Sequence, residues 1–307
     1  MSSTLSATPS FTSQLTPDNV HATFPVQLLV PGQTATPETP AGVVVVPGGD
    51  ALEQELLRSA VEVLGDRSLD DLGAYRLPTG FKLSILVPVY NERRTIQQIL
   101  ARVRALPVPK EVIVVDDGST DGTAEVLRGI REDNELRIFF HPRNQGKGAA
   151  IRTAMERARG SVVAIQDADL EYDPNELLQL IRPIVAGEAD VVYGSRFAHG
   201  KPVSQTRRHW LANRVLTMLS NLFTDLSLTD METCHKVIRR EALRGVTISQ
   251  CRFGMEPELT AKMARRGCRF MEMPIGYHGR DASEGKKIGL KDAFNALWCI
   301  VRYSIAD

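Results

Sequence analysis

The sequence predicts an α/β chain whose mostly parallel sheet carries helices on both faces. From Lys82 onward, apolar runs of strand length alternate with segments of helical periodicity, and the links between them are short. Polar residues collect where the runs end, at Asn91-Glu92, Asp116-Asp117, Asp167-Asp169 and Ser195-Arg196. Ligands of open α/β sheets bind at that carboxyl edge, so these clusters predict one site.

The alternation does not begin at the N-terminus. Residues 1–40 are rich in Ser, Thr, Pro and Gln and are expected to form a disordered tail, because they offer too little apolar surface to offset the entropy of ordering. Residues 41–80 read as an extension. Within it, AGVVVVPGGD (41–50) suits a short strand or docking segment, and DALEQELLRSAVEVLG suits an amphipathic helix. Asp50 caps that helix with Glu53 three residues on, Leu52, Leu56, Ala60 and Leu64 share a face, and Gly65 suits the end. The α/β domain itself is expected over residues 81–307.

In that domain LSILVPVY (83–90) is the first buried strand, and ERRTIQQILARVRAL places Ile96, Ile99, Leu100 and Val103 at helical spacing. EVIVVDD (111–117) is a second strand, followed by a helix from about Thr120 to Ile130. LRIFFH (136–141) and VVAIQDAD (162–169) are further strands, with a helix around GAAIRTAMERA between them. DVVYGSRF (190–197) closes the series.

Composition narrows the function classes. The 37 acidic side chains of the 307-residue chain balance 37 basic ones, which argues against a nucleic-acid partner held by net charge. Cys234, Cys251, Cys268 and Cys299 form no CxxC pair, so neither a zinc site nor a disulfide framework is suggested, and a reducing compartment fits. No stretch approaches the roughly 20 uninterrupted apolar residues of a membrane span. No Lys or Arg precedes Arg58, so the basic start of a secretory signal is missing. The expectation is a cytoplasmic protein, free or peripheral at the cytoplasmic membrane face.

Several phosphate-binding motifs fail on inspection. NQGKGAAIR (144–152) has the look of a Walker loop, but His141 stands where its first glycine belongs and Gly148 replaces the Ser/Thr. No GxGxxG follows the first strand. A sugar nucleotidyltransferase would want a glycine-rich loop there, whereas PVYNERR has no glycine; its Pro and Tyr suit a wall for a flat base. DDGSTDGT (116–123) is turn chemistry that accounts for Asp121 and Gly122. It accounts less well for Asp117, a strand-end carboxylate able to accept from a base or ribose. In AIQDADLEYDP (164–174) residues two apart on an extended segment point the same way, so Asp167, Asp169 and Glu171 are expected to converge. Carboxylates, water and substrate phosphates are how Mg²⁺ or Mn²⁺ is held.

PVYNE, DDGSTDGT, NQGKGAAIR, DADLEYDP, VYGSRF and PIGYHGRDASEGKKIG occur in an order that resembles family 2 glycosyltransferases of the GT-A (Rossmann-like) fold. The similarity spans about residues 82 to 307 and points to the dolichyl-phosphate mannosyltransferase, or polyprenyl-phosphate glycosyltransferase, branch. The resemblance implies a GDP- or UDP-sugar donor, with mannose or glucose as the sugar, a divalent cation (Mg²⁺ or Mn²⁺) and inversion at the anomeric carbon. It places Pro88, Tyr90, Glu92, Val115 and Asp117 around the nucleoside and Asp167, Ala168 and Asp169 at the diphosphate and metal. Position 171, commonly Gln in the family, is Glu here, which keeps an oxygen ligand and adds charge. Arg196, Arg280 and Lys286 match the family's basic phosphate contacts, and with Asp169 they form the expected catalytic set.

The acceptor stays open between two chemistries. A sugar or protein hydroxyl needs a general base, which Asp230, Glu232, Glu256 or Glu258 could supply, although loop and helix-capping roles also suit them. A polyprenyl phosphate is already ionised and needs only cations. RRHWLANRVLTMLSNLF (207–223) sets Trp210, Leu211, Val215, Met218, Leu219 and Leu222 beside Arg207, Arg208 and Arg214, which suits an anionic lipid surface, a core or a dimer contact equally. LKDAFNALWCIVRYSI (290–305) poses the same question. Some members of the branch continue into membrane spans after this point, so contact here is expected to be peripheral. A non-catalytic nucleotide-sugar-binding protein is the remaining rival. The sequence leaves the oligomeric state undefined.

Overall fold

β-Branched and aliphatic residues at alternating positions assign the central strands two buried faces. In β3 (Leu83–Val89) the side chains of Leu83, Ile85, Val87 and Val89 enter one core, while Leu86 enters the other. β4 (Lys110–Asp116) repeats the division, with Val112 and Val114 on the first side and Ile113 and Val115 on the second. A sheet apolar on both faces needs helices on both, and the chain supplies them.

The computed structural model describes residues 45–46, 75–198, 207–252, 254–279 and 290–305, all within the compact unit Thr36–Asp307. The expected tail (1–40) and the helix expected from Asp50 to Gly65 lie outside the described residues. The short strand expected in 41–50 is present as β1 (Val45–Val46), which pairs in parallel with β2 (Tyr75–Arg76). The main sheet continues with β5 (Leu136–Phe140), β6 (Val162–Ile165), β7 (Val191–Ser195), β8 (Lys236–Arg239) and β9 (Phe270–Pro274). Its seven strands run in the order β5-β4-β3-β6-β8-β7-β9, parallel except for β8, which is antiparallel to β6 and β7.

One face is covered by α1 (Ile96–Arg104), α2 (Thr123–Arg128) and α4 (Glu176–Val185), through residues such as Ile99, Leu127 and Ile181. The other face carries α3 (Lys147–Met155), α5 (Arg207–Thr224), α6 (Met255–Arg265) and α7 (Leu290–Ile305), through Ile151, Leu216, Leu259 and Ile300. Among the described residues no helix is long and apolar enough to cross a membrane.

Three strands of the main sheet depart from the expected series: β8 and β9 follow its last expected strand, and β6 is shorter. β8 is hidden in sequence by the polar His235 and Lys236 at its start; the structure buries both. Lys236 Nζ donates to the Met231 and Thr233 carbonyls and lies 3.7 Å from the centre of the Tyr193 ring, so the charge is paired off within the fold. β6 ends at Ile165, four residues earlier than expected, and Asp167–Tyr172 is a turn.

Candidate active site

The loops that leave β3, β4, β6 and β7 meet at one edge of the sheet. Pro88 stands opposite Val115 in the β3–β4 register, with Tyr90 and Glu92 in the loop that follows. That loop is zipped to DDGSTDGT. Thr120 N–H donates to Asn91 Oδ1, Asn91 N–H to Ser119 Oγ, Glu92 N–H to Thr123 Oγ1 and Arg93 N–H to Asp121 Oδ2. Asn91 takes a left-handed backbone (φ 57), which asparagine tolerates better than most residues.

Asp117, expected to face a base or ribose, is buried and has its carboxylate engaged by groups of the protein. His141 Nδ1 lies 2.7 Å from its Oδ1, and the Gln145 and Gly146 N–H groups donate to the carboxylate. Asp117 thus fastens the loop after β5. Its neighbour Asp116 keeps a buried Oδ1 without a hydrogen-bond partner, while Oδ2 accepts from the Ser119 N–H.

The fastened loop has no room for side chains on its glycines. A Cβ on Gly146 would lie 2.1 Å from the Cys251 carbonyl oxygen, and one on Gly148 would lie 2.1 Å from that of Gln250. Held from both sides, the loop starts α3 with Lys147. Lys147 Nζ stands 2.8 Å from Asp167 Oδ1, 2.8 Å from Cys234 Sγ and 3.6 Å from Glu256 Oε1. Burial pulls the pKa of this ammonium down, but the facing Asp167, with Glu256 behind it, outweighs burial and holds it well above the usual lysine value. Burial pushes the Cys234 thiol up, and Asp167 adds to the effect.

The three carboxylates of DADLE do not converge by strand alternation, because they follow the end of β6. Asp167 faces Lys147. Asp169 Oδ1 accepts the Glu171 N–H across the turn, and Glu171 Oε2 accepts from Tyr277 Oη at 3.0 Å. Among the described residues no three His, Cys, Asp or Glu side chains stand close enough to cage a metal ion. Hard oxygen donors on one turn still fit Mg²⁺ or Mn²⁺, since such a cation is held through one or two carboxylates and completes its shell with phosphate oxygens and water.

Arg196, expected to touch phosphate, pairs with a buried acid. Its Nε and Nη2 donate to the two oxygens of Asp230 at 2.7 Å each, and its backbone N–H donates to Oδ2. Asn213 from α5 adds a fourth donor. Burial alone would raise the Asp230 pKa, but Arg196 and these hydrogen bonds hold it below the usual carboxylate range. Arg280 and Lys286 lie outside the described residues.

The other acids weighed as bases divide. Glu258 does not cap α6; it accepts from the Ser249 and Gln250 N–H groups and pairs with Lys262. Glu256, also buried, keeps Oε2 without a partner. Burial and the Glu256 carboxylate push Glu232 up to about 8. Sequence reasoning missed Lys147 and Cys234 as site residues. The available signal was a lysine between two glycines after a strand, set aside because His141 and Gly148 do not fit a Walker loop.

The model of Glycosyl transferase family 2 matches residues 84–247, more than half of the chain. The chain belongs to that family. As a family 2 glycosyltransferase it is 31% identical over 230 residues to the undecaprenyl-phosphate 4-deoxy-4-formamido-L-arabinose transferase of Aeromonas hydrophila, covering 73% of this chain and 68% of that one. It is 28% identical over 213 residues to the undecaprenyl-phosphate mannosyltransferase of Micrococcus luteus, covering 66% and 86%. Some relatives of this glycosyltransferase are far longer: the match spans 33% of Glycosyltransferase AglD from Haloferax volcanii. In fold the enzyme resembles glucosyl-3-phosphoglycerate synthase from Mycobacterium tuberculosis, solved with Mn²⁺, UDP and phosphoglyceric acid. The TM-score is 0.58 at 20% identity, covering 75% of this chain and 80% of that one. The GT-A fold expected from sequence is therefore the one the glycosyltransferase adopts.

Proposed function

We propose that this glycosyltransferase moves a single sugar, mannose or glucose, from a GDP- or UDP-sugar to a polyprenyl phosphate, with inversion at the anomeric carbon. The observation that carries the acceptor class is the state of Asp230. Paired in a bidentate fashion with Arg196, fully buried and held below the usual carboxylate range, it is a poor base for a hydroxyl. A phosphate acceptor needs none. The two relatives named as undecaprenyl-phosphate transferases support the same reading.

In this reading Pro88, Tyr90, Glu92 and Val115 wall the nucleoside, and the partnerless Asp116 oxygen offers an acceptor that Asp117 does not. Asp167, Ala168 and Asp169 face the diphosphate, with Glu171 beside them. A bound Mg²⁺ or Mn²⁺ would be held by Asp167 and Asp169 and would neutralise charge on the leaving diphosphate. Arg280 and Lys286 remain candidates for phosphate oxygens on sequence grounds. Arg196 supports them indirectly, as the partner that keeps Asp230 in place.

The acceptor class sets a location. α5 exposes Leu211, Val215, Met218 and Leu222 along one face, and α7 exposes Phe294, Trp298, Val301 and Ile305 at the same spacing. The inner faces of both helices are core, so the helices are neither wholly core nor wholly surface. The outer stripes suit peripheral contact with a lipid surface where the acceptor resides.

A second reading rests on Glu256. Its free buried oxygen at the head of α6 is a candidate base for a hydroxyl acceptor. An Asp169→Ala variant tests what both readings share. Asp169 lies on the turn after β6 and outside the apolar cores, so its removal opens no core cavity and the variant should stay folded while sugar transfer falls by at least about 100-fold. Full metal-dependent transfer by this variant would overturn the assignment.

A further inference from the structure

We propose that Lys147 is the resident counter-ion of Asp167, and that it makes divalent-cation binding depend on the nucleotide diphosphate. The inference rests on the metal reading given above. It starts from a problem of charge. The side chains of Asp167 and Glu256 are 17% and 4% exposed, and both approach the same point from different elements. Without a cation, two such carboxylates would repel and one would take up a proton. The chain resolves this before any ligand arrives, by placing an ammonium 2.8 Å from Asp167 Oδ1 and 3.6 Å from Glu256 Oε1.

The placement is built rather than incidental. The loop that carries Lys147 is fixed by the Asp117 carboxylate on one side. On the other, Gly148 N–H donates to the Cys251 carbonyl at 2.9 Å. Both flanking positions must be glycine, since the carbonyls of residues 250 and 251 occupy the space a Cβ would need. The backbone is therefore held, and the part able to move is the four-carbon stem with its three rotatable donors.

An ammonium and a divalent cation cannot both sit on one carboxylate oxygen without repulsion. In the donor-free enzyme the Asp167 charge is already satisfied, so a cation gains little there. An arriving diphosphate offers the ammonium new anionic oxygens. Once Lys147 turns to them, Asp167 is released to the cation. Nucleotide and cation then favour one another by the same factor, as linkage requires.

Titration of the full-length protein with Mn²⁺, alone and with saturating UDP or GDP, tests this, with bound metal read by calorimetry or by the electron spin resonance of free Mn²⁺. Wild type should bind Mn²⁺ at least about tenfold more tightly when nucleotide is present, within the ordinary span of coupling between two sites. Lys147→Met should raise donor-free Mn²⁺ affinity about tenfold and shrink the nucleotide effect correspondingly. Lys147→Gln, which keeps donors for Asp167 and removes only the charge, carries the same expectation should the methionine variant fail to fold. Lys147→Arg should behave as wild type. Equal Mn²⁺ affinity with and without nucleotide in wild type would overturn the proposal, as would a folded Lys147→Gln protein that binds donor-free Mn²⁺ no better than wild type. Absence of Mn²⁺ binding by wild type even with nucleotide would instead remove the metal reading itself.

Discussion

Glu176 opens α4 beneath the loop after β9, and its carboxyl is poorly provided for. Oε1 accepts the Gly276 N–H, while Oε2 is buried without a partner, 4.0 Å from His235 Nδ1. Burial pushes Glu176 up to about 7, with Asp173 adding to the rise, and burial lowers His235 to about 3, so no positive imidazole assists it. The folded chain therefore keeps a proton that the unfolded chain releases near 4.5. The stability from that proton is fully present below about pH 4.5 and is lost as pH rises through about 7, on the order of 3 kcal/mol in all. Glu176→Gln should flatten the wild-type fall in stability across that window, and should melt higher than wild type at pH 8. Parallel curves of denaturation midpoint against pH for the two proteins would contradict this. At the same scale, the sequence showed which acids gather at the edge but not what each one faces. Asp167, Asp169 and Glu171 were visible as a cluster. Asp117 and Arg196 were expected at the ligand, and the sequence did not show that the fold pairs them with His141 and Asp230, partners distant in the chain. Lys147 reaches its partners only through a loop shaped by Asp117 and by residues 250–251, and no local pattern announces such a convergence.

Among the elements, α5 and α7 carry the plainest unexplained surface. Met218 and Leu222 are 63% and 77% exposed on α5, as are Phe294 and Ile305 at 70% and 69% on α7. Apolar faces this open mark a contact. The inner face of α5 reaches the active site: Asn213 holds Asp230, and Thr217 Oγ1 accepts the Met231 N–H. If the contact is an anionic leaflet, Arg207, Arg208 and Arg214 each add about 1 kcal/mol near its surface. Reversing all three to Glu should then cut sedimentation with anionic vesicles and slow transfer to long-chain acceptors. Transfer to a short, water-soluble prenyl phosphate should change much less. Equal losses on both acceptors would place the stripes in another contact. The periodicity of these two helices was readable in advance because it depends on neighbours three and four residues apart. β8 and β9 were not readable: β8 is four residues long and begins with a buried lysine, and Phe270–Pro274 has no fully buried residue.

At the scale of the molecule, one sheet with two apolar faces brings β3, β4, β6 and β7 to a common edge, and that much follows from period-two burial and short links. The reversal of β8 between β6 and β7 does not follow from any local pattern. It lets Cys234, just before that strand, join Asp167 and Glu256 around Lys147. The account therefore predicts a site that handles a diphosphate with cations and presents no free carboxylate at Asp230. Its central claim concerns the acceptor. The most direct measurement is the mass of the lipid product after incubating the full-length enzyme with Mn²⁺, a panel of GDP- and UDP-sugars, and equal amounts of a polyprenyl phosphate and the matching polyprenol. The account predicts one sugar added to the phosphate, from one donor of the panel, with the free alcohol unchanged. A glycosylated alcohol beside unmodified phosphate would contradict it.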